Sequence, residues 1–122
     1  MEIERSMQTE LAIKCFQAIG QTHRLSMFRL LATAGETGQL AGELAHALDI
    51  APSQVSFHLK ELEHAGLVFA TREGRFIRYR IEPTQVAALM EFLLSDCCRG
   101  RPELCTSLAQ PPPTETDARS MT

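Results

Sequence analysis

"PSQVSFHLKELEHAGLVFATREGRFIRYRI", residues 52–81, changes its period halfway along. In the first half, Val55, Leu59 and Leu62 recur at helical spacing, with Pro52 near the first turn and Gly66 as a C-terminal stop. The second half, from Leu67, is rich in β-branched and aromatic residues on both sides of Glu73-Gly74, which is a hairpin signal. In its second arm Ile77, Tyr79 and Ile81 alternate with Arg78 and Arg80, so the two sets face opposite ways. A helix running into a basic hairpin is thus the centre of the chain.

Upstream, "GQLAGELAHALDI" places Leu40, Leu44, Ala47 and Leu48 at helical spacing, and a brief turn separates it from Pro52. Before it, Thr22 is a candidate N-cap and Gly35 a stop for a helix whose apolar face is Leu25, Phe28, Leu31 and Ala32. Residues 7–19 put Leu11, Cys15, Ala18 and Ile19 on one stripe, beside Ala12 and Phe16. Downstream, Pro83 opens a last helix lined by Val86, Leu89, Met90, Leu93 and Leu94. The expected fold is mainly α with a β-hairpin wing, a winged helix-turn-helix in the order α-α-α-α-β-β-α. The first and last helices are amphipathic and have spare apolar surface in so small a domain, so a homodimer built from them is expected. The domain is expected over residues 1–105, and residues 106–122, with "QPPPTETDARSMT", as a disordered tail.

The chain has 122 residues, which suits one domain, and 44% of them are apolar. No run approaches the roughly 18 apolar residues of a membrane helix. The N-terminal "MEIERSMQTEL" is acidic and polar, unlike a signal peptide, so a cytoplasmic location with no membrane partner is expected. Net charge is −3, but its distribution is uneven. Between residues 53 and 81, Lys60, Arg72, Arg75, Arg78 and Arg80 outnumber Glu61, Glu63 and Glu73. Residues 82–98 carry only Glu82, Glu91 and Asp96. One basic segment therefore sits inside an acidic protein.

With Val55 at zero on a helical wheel, at about 100° per residue, Leu59 and Leu62 fall beside it and mark the core. Phe57 falls nearly opposite, with Ser53 and Lys60 near it and Gln54 and Ser56 to either side. Short hydroxyls and an amide suit base edges or phosphates, and an exposed Phe suits a thymine methyl. A solvated face that happens to include a Phe is the plainer reading; the agreement of helix, turn and basic hairpin favours recognition of double-stranded DNA. His58 sits at the core edge of the wheel, as a packing or hydrogen-bonded residue. Arg72, Arg75, Arg78 and Arg80 are either ordinary solvated charge or, for at least two of them, contacts to phosphate or the minor groove.

"QTHRLSMFRLL", "VSFHLKELEHAGLV" and "REGRFIRYRI" together resemble the ArsR/SmtB group of bacterial metal-sensing repressors, over roughly residues 10–95. The resemblance implies a homodimer that binds an operator when effector-free and releases it on binding a metal ion or metalloid. Two of the group's sensing patterns are missing here. "LAGELAHALDI" has no Cys-x-Cys, and "TQVAALMEFLLSD" has no His. What remains is "SDCCRGRPELC", with Cys97, Cys98 and Cys105, expected just past the last helix, and this resembles the arsenic repressors whose thiols lie C-terminally.

In the cytoplasm a Cys cluster points to metal binding or redox chemistry. Trivalent arsenic (arsenite or methylarsenite) or antimonite is soft and takes thiolates, and three satisfy it in a pyramid. Zinc prefers four ligands, and no His is near. Arg99 and Arg101 flank the thiols and favour thiolate. Gly100 and Pro102 allow the chain to bring Cys105 back toward the pair. A redox switch pairing Cys105 with Cys97 or Cys98, a role-free tail, and a helical dimerisation module that never touches DNA stay open as alternatives. Cys15 lies on an apolar stripe and reads as core. Paired carboxylates, a nucleophile motif and a phosphate loop are missing, so neither an enzyme nor a catalytic cofactor is expected.

Overall fold

The computed structural model describes residues 7–100, with side chains over residues 7–95. Helices α1 (Thr9–Ile19) and α2 (Thr22–Ala34) lead into a 3₁₀ turn (Gly35–Thr37) and a two-residue strand β1 (Gln39–Leu40). Then come α3 (Ala41–Leu48), α4 (Pro52–His64), β2 (Val68–Glu73), β3 (Phe76–Ile81) and α5 (Pro83–Gly100). The strands form one antiparallel sheet in the order β1-β3-β2. This is the expected winged helix-turn-helix order. Among the described residues, no helix is long and apolar enough to cross a membrane.

The core joins all the helices to the root of the wing. Cys15, Met27, Leu31, Leu44, Val55, Leu59, Leu62 and Leu67 are its largest fully buried side chains. Val55, Leu59 and Leu62 form the α4 stripe expected from spacing. Truncating any of these leucines to Ala would leave a cavity, at about 2–5 kcal/mol each.

Two turns set the course of α4. Before it, Asp49 adopts a left-handed conformation (φ 56°, ψ 49°), and its N–H and that of Ile50 return to the carbonyls of His46 and Ala45. Asp tolerates this region better than most residues. After it, Gly66 (φ 78°) donates to Glu63 O at 2.9 Å and Leu67 to Leu62 O at 3.1 Å. That is a Schellman ending with its hydrophobic partners Leu62 and Leu67 both buried. The chain then turns directly into β2. The hairpin pairs Glu73 with Phe76, so its two loop residues are Gly74 and Arg75, with Gly74 at φ 66°. A positive φ at the first loop position alone fits a type II′ turn.

Several expectations are corrected. The buried face of α2 is Met27 and Leu31, while Leu25 is 44% exposed and Ala32 is exposed. Its N-cap is Gln21, whose Oε1 accepts from Arg24 N at 2.9 Å, in place of Thr22. The stripe rotates because α2 packs against α1, α3, α4 and β3 together, and their positions decide which side is buried. Ala47 of α3 is exposed, and Leu40 belongs to β1, opposite Arg78. A two-residue strand is too short to leave a periodic signal. Finally, the backbone of α5 continues through Gly100, so Cys97 and Cys98 lie on its last turn and not beyond it. Nothing in "SDCCRG" stops a helix before Pro102.

Alanine at the two glycine turns should separate strain from crowding. At Gly74 an added Cβ meets nothing within 4 Å, and only the positive φ resists it. At Gly66 the Cβ would also lie 2.8 Å from Gln85 Nε2. In urea unfolding, Gly74→Ala should lose about 1 kcal/mol and Gly66→Ala about 2–3 kcal/mol.

Candidate nucleic-acid interface

Burial of the α4 stripe leaves Ser53, Gln54, Ser56, Phe57 and Lys60 exposed on the same helix. Phe57 is 57% exposed, which is unusual for a phenyl ring within a helix. Gln54 has two duties. Its Oε1 accepts from Ala51 N at 3.3 Å, closing the start of α4, and its amide nitrogen donates to no protein group among the described residues. The start of α4 thus presents hydroxyls and a free amide donor, both suited to acceptors on a polyanion.

His58 is on the inner side, 8% exposed, with Nδ1 3.0 Å from Arg24 Nη1. This is the hydrogen-bonded packing role that the wheel implied. Its ring meets Phe57 edge-on at 5.3 Å and His23 at 5.4 Å. Burial, then the charge of Arg24, then His23 push its pKa below the ordinary value, against an opposing pull from Glu61.

The wing arginines divide into two groups. Arg78 donates through Nε to Glu73 Oε2 at 2.9 Å and through Nη1 to Thr37 O at 3.1 Å. Arg80 donates to Glu36 O at 2.7 Å and to Thr71 Oγ1 at 3.3 Å. Both fasten the hairpin to the 3₁₀ turn ahead of β1. The Arg78 bond holds the Glu73 carboxyl below the usual carboxylate range and raises Arg78 in turn. Arg72 reaches only its own loop, at Gly74 O, 3.1 Å away. Arg75, at the hairpin tip, makes no hydrogen bond among the described residues. Arg72 and Arg75 are therefore the wing cations with charge to offer outward, whereas Arg78 is engaged.

Phe76 was not among the candidates, yet it stands 57% exposed beside Arg75. The register pairs Glu73 with Phe76 and Thr71 with Arg78, which puts Phe76 on the polar face of the hairpin. An apolar residue on the polar side of an alternating strand was the available signal.

The thiols divide differently. Cys15 is fully buried; its Sγ lies 3.5 Å from Ala65 O, and burial raises its pKa, so it is a core thiol. Cys105 lies outside the described residues, as do the side chains of Cys97 and Cys98. Among the described residues, no group of three or more His, Cys, Asp or Glu is gathered to hold a metal ion.

The helix-turn-helix domain family matches residues 19–68. Over 68 residues the chain is 34% identical to the arsenic resistance transcriptional regulator ArsR1 of Pseudomonas putida, a match spanning 56% of this chain and 52% of that protein. It is 32% identical over 73 residues to the arsenical resistance operon repressor of Escherichia coli, spanning 60% and 61%. The matched stretch is thus only about half to three fifths of those relatives' length. An ArsR-like transcriptional regulator from Rhodococcus sp. RHA1 superposes with a TM-score of 0.67 at 24% identity, covering 83% of this chain and 94% of that one, a likeness of fold. The homodimeric winged helix-turn-helix DNA-binding domain from Mycobacterium bovis superposes with a TM-score of 0.57 at 26% identity, covering 72% and 81%.

The division of the arginines has a direct check. Arg78→Ala should speed amide hydrogen exchange in β2, β3 and the 3₁₀ turn, because it removes the bonds to Glu73 and Thr37. Arg75→Ala should leave exchange there unchanged. Equal protection in the two variants would mean that Arg78 does not fasten the wing.

Proposed function

We propose that the chain is a member of the ArsR family, to whose arsenic-resistance regulators it is similar, and a homodimeric repressor of double-stranded operator DNA, released by trivalent arsenic or antimony. The observation that carries the reading is the outward face of α4, where Ser53, Gln54, Ser56, Phe57 and Lys60 are exposed together behind a buried stripe. Ser56, Gln54 and Phe57 meet base edges in the major groove, and Ser53 and Lys60 meet phosphates. Arg75 and Arg72 extend the contact from the wing, where guanidinium groups and an exposed Phe76 suit the minor groove.

Dimerisation runs through α1 and α5. Ile13 and Phe16 on α1, and Met90 and Leu93 on α5, are exposed large apolar side chains on the two helices that flank the DNA-reading unit. A paired half-site supplies the second set of contacts that one recognition helix lacks.

Cys97, Cys98 and Cys105 form the sensing site. Three thiolates from one short segment match the coordination demand of a trivalent metalloid, and Arg99 and Arg101 favour the deprotonated form. The names of the Pseudomonas putida and Escherichia coli relatives refer to arsenic resistance, which supports this class of effector. The start of α5 is bonded to the end of α4: Gln85 Nε2 donates to Ala65 O at 2.8 Å, and Glu82 N donates to Leu67 O at 2.9 Å. A pull at the C-terminal turn of α5 therefore reaches the recognition helix through its cap. Couplings of this kind are about 1–3 kcal/mol.

A mobility-shift assay under reducing conditions, with and without arsenite, tests the whole reading. Release by arsenite supports it, release only by oxidant supports the thiol-redox alternative, and no shift on any duplex supports a dimerisation module. Within that assay, Ser56→Ala and Phe57→Ala should each weaken operator binding by about 1–3 kcal/mol with the fold intact. Arg75→Ala should weaken all sequences alike and lower the salt slope by about one unit. Full affinity in Phe57→Ala would place the wrong face of α4 on DNA.

Cys97→Ser and Cys98→Ser should each bind DNA and no longer release it with arsenite. Methylarsenite has only two positions for sulfur, since carbon keeps the third. Cys105→Ser should then impair release by arsenite and antimonite far more than release by methylarsenite. Equal loss for all three compounds would show the three thiols acting as one unit.

A further inference from the structure

Arg24 connects three helices. It stands on α2, and its Nε donates to Ala18 O near the end of α1 at 2.6 Å. Its backbone N–H is held by Gln21 Oε1 at 2.9 Å, and its Nη1 lies 3.0 Å from Nδ1 of His58 in the middle of α4. A guanidinium carries donors only, so Nδ1 must be the acceptor. His58 is therefore the neutral imidazole with its proton on Nε2. It is the one buried polar or charged residue among the described residues, and it is followed inward and preceded outward by opposite environments: buried Leu59 and exposed Phe57. The ring that seats the helix touches the ring that the helix presents.

We propose that the Arg24–His58 pair is a positioning device for α4, and that the outward face reaches DNA in its correct pose only while His58 is neutral. This rests on α4 being the DNA-reading helix. Protonation consumes the Nδ1 lone pair, sets N–H against N–H and places a second cation beside Arg24. The contact must open, and the helix loses its hydrogen-bonded tie to α2 and, through Arg24 and Ala18, to α1. The groups facing His58 are Arg24 and His23 from α2 and Glu61 from α4 itself. From α1 comes only the Ala18 carbonyl, bound to Arg24. No charged group of α3 or β2 among the described residues acts on the ring.

The direction follows from the chemistry. The unfolded chain takes up a proton at His58 near pH 6.5, while the folded chain resists it to lower pH. Stability from this site is complete above about pH 6.5 and is lost as pH falls toward the folded value. Sequence-selective DNA binding falls with the same sign. Protonation of exposed histidines acts oppositely, since added positive charge strengthens phosphate binding. A fall in selective binding on acidification is thus distinctive.

The test uses the full chain and a duplex selected by it from a random-sequence pool at pH 8, with a scrambled duplex as the measure of phosphate attraction. The ratio of selected to scrambled affinity should be constant above about pH 7 and fall by up to about tenfold per pH unit below the His58 pKa. His58→Asn keeps an acceptor near the place of Nδ1 and does not titrate, so its ratio should stay flat. Nitrogen-15 spectra of the imidazole should show an unprotonated Nδ1 at neutral pH. A flat wild-type ratio, a wild-type fall in His58→Asn, or a protonated Nδ1 would overturn the proposal. Failure to select any duplex would bring down the reading of α4, and the proposal with it; a selected duplex with a flat ratio would bring down the proposal alone.

Discussion

Val55, Leu59 and Leu62 hold one side of α4 in the core, and every residue on its other side takes its direction from that burial. The helix has 13 residues and a modest apolar stripe, so tertiary packing, not propensity, keeps it in place. Leu31 and Met27 of α2 and Leu44 of α3 complete the same cluster. The outward residues spend little on packing and stay exposed. An exposed Phe57 is tolerable only because the opposite side is fully engaged.

Apolar contact alone would let a short helix rotate or slide. Directional bonds restrict it at three points. Gln54 closes the start on Ala51, Arg24 grips the middle at His58, and Gln85 grips the end at Ala65. The last bond sits where Gly66 has no side chain to obstruct it. Buried polar groups are costly when unpaired, and here no buried side-chain nitrogen or oxygen among the described residues lacks a partner. The bonds come from three different elements, α4 itself, α2 and α5. That arrangement ties the pose of α4 to two other helices.

The wing follows a related economy of charge. Arg78 and Arg80 look like surface cations in the sequence, yet they reach back to the carbonyls of Thr37 and Glu36 and to Glu73. Arg72 and Arg75 lie farther out, past the reach of the 3₁₀ turn. One run of basic residues thus supplies both the fastening of the hairpin and its outward charge.

Much of this was legible in the residues themselves. The change of period at Gly66 identified α4 and the hairpin, and the wheel centred on Val55 separated exposed Phe57 from buried Leu59, because both signals are local and periodic. Cys15 and His58 were assigned to the interior for the same reason. The buried face of α2 was decided only in three dimensions: Leu25 and Met27 are both apolar, and only the positions of α1, α3, α4 and the sheet determine which one is enclosed. Strand β1 exists through its pairing with β3 and has no periodic signature of its own. The separate roles of Arg75 and Arg78 depend on a carbonyl 41 residues away in sequence, at Thr37, and the grip of Arg24 on His58 spans 34 residues. The sequence by itself determined which segments are helix, turn and wing, since those follow from short-range chemistry; which side chains meet across the fold was decided by tertiary packing alone, since partners so distant along the chain leave no spacing to read.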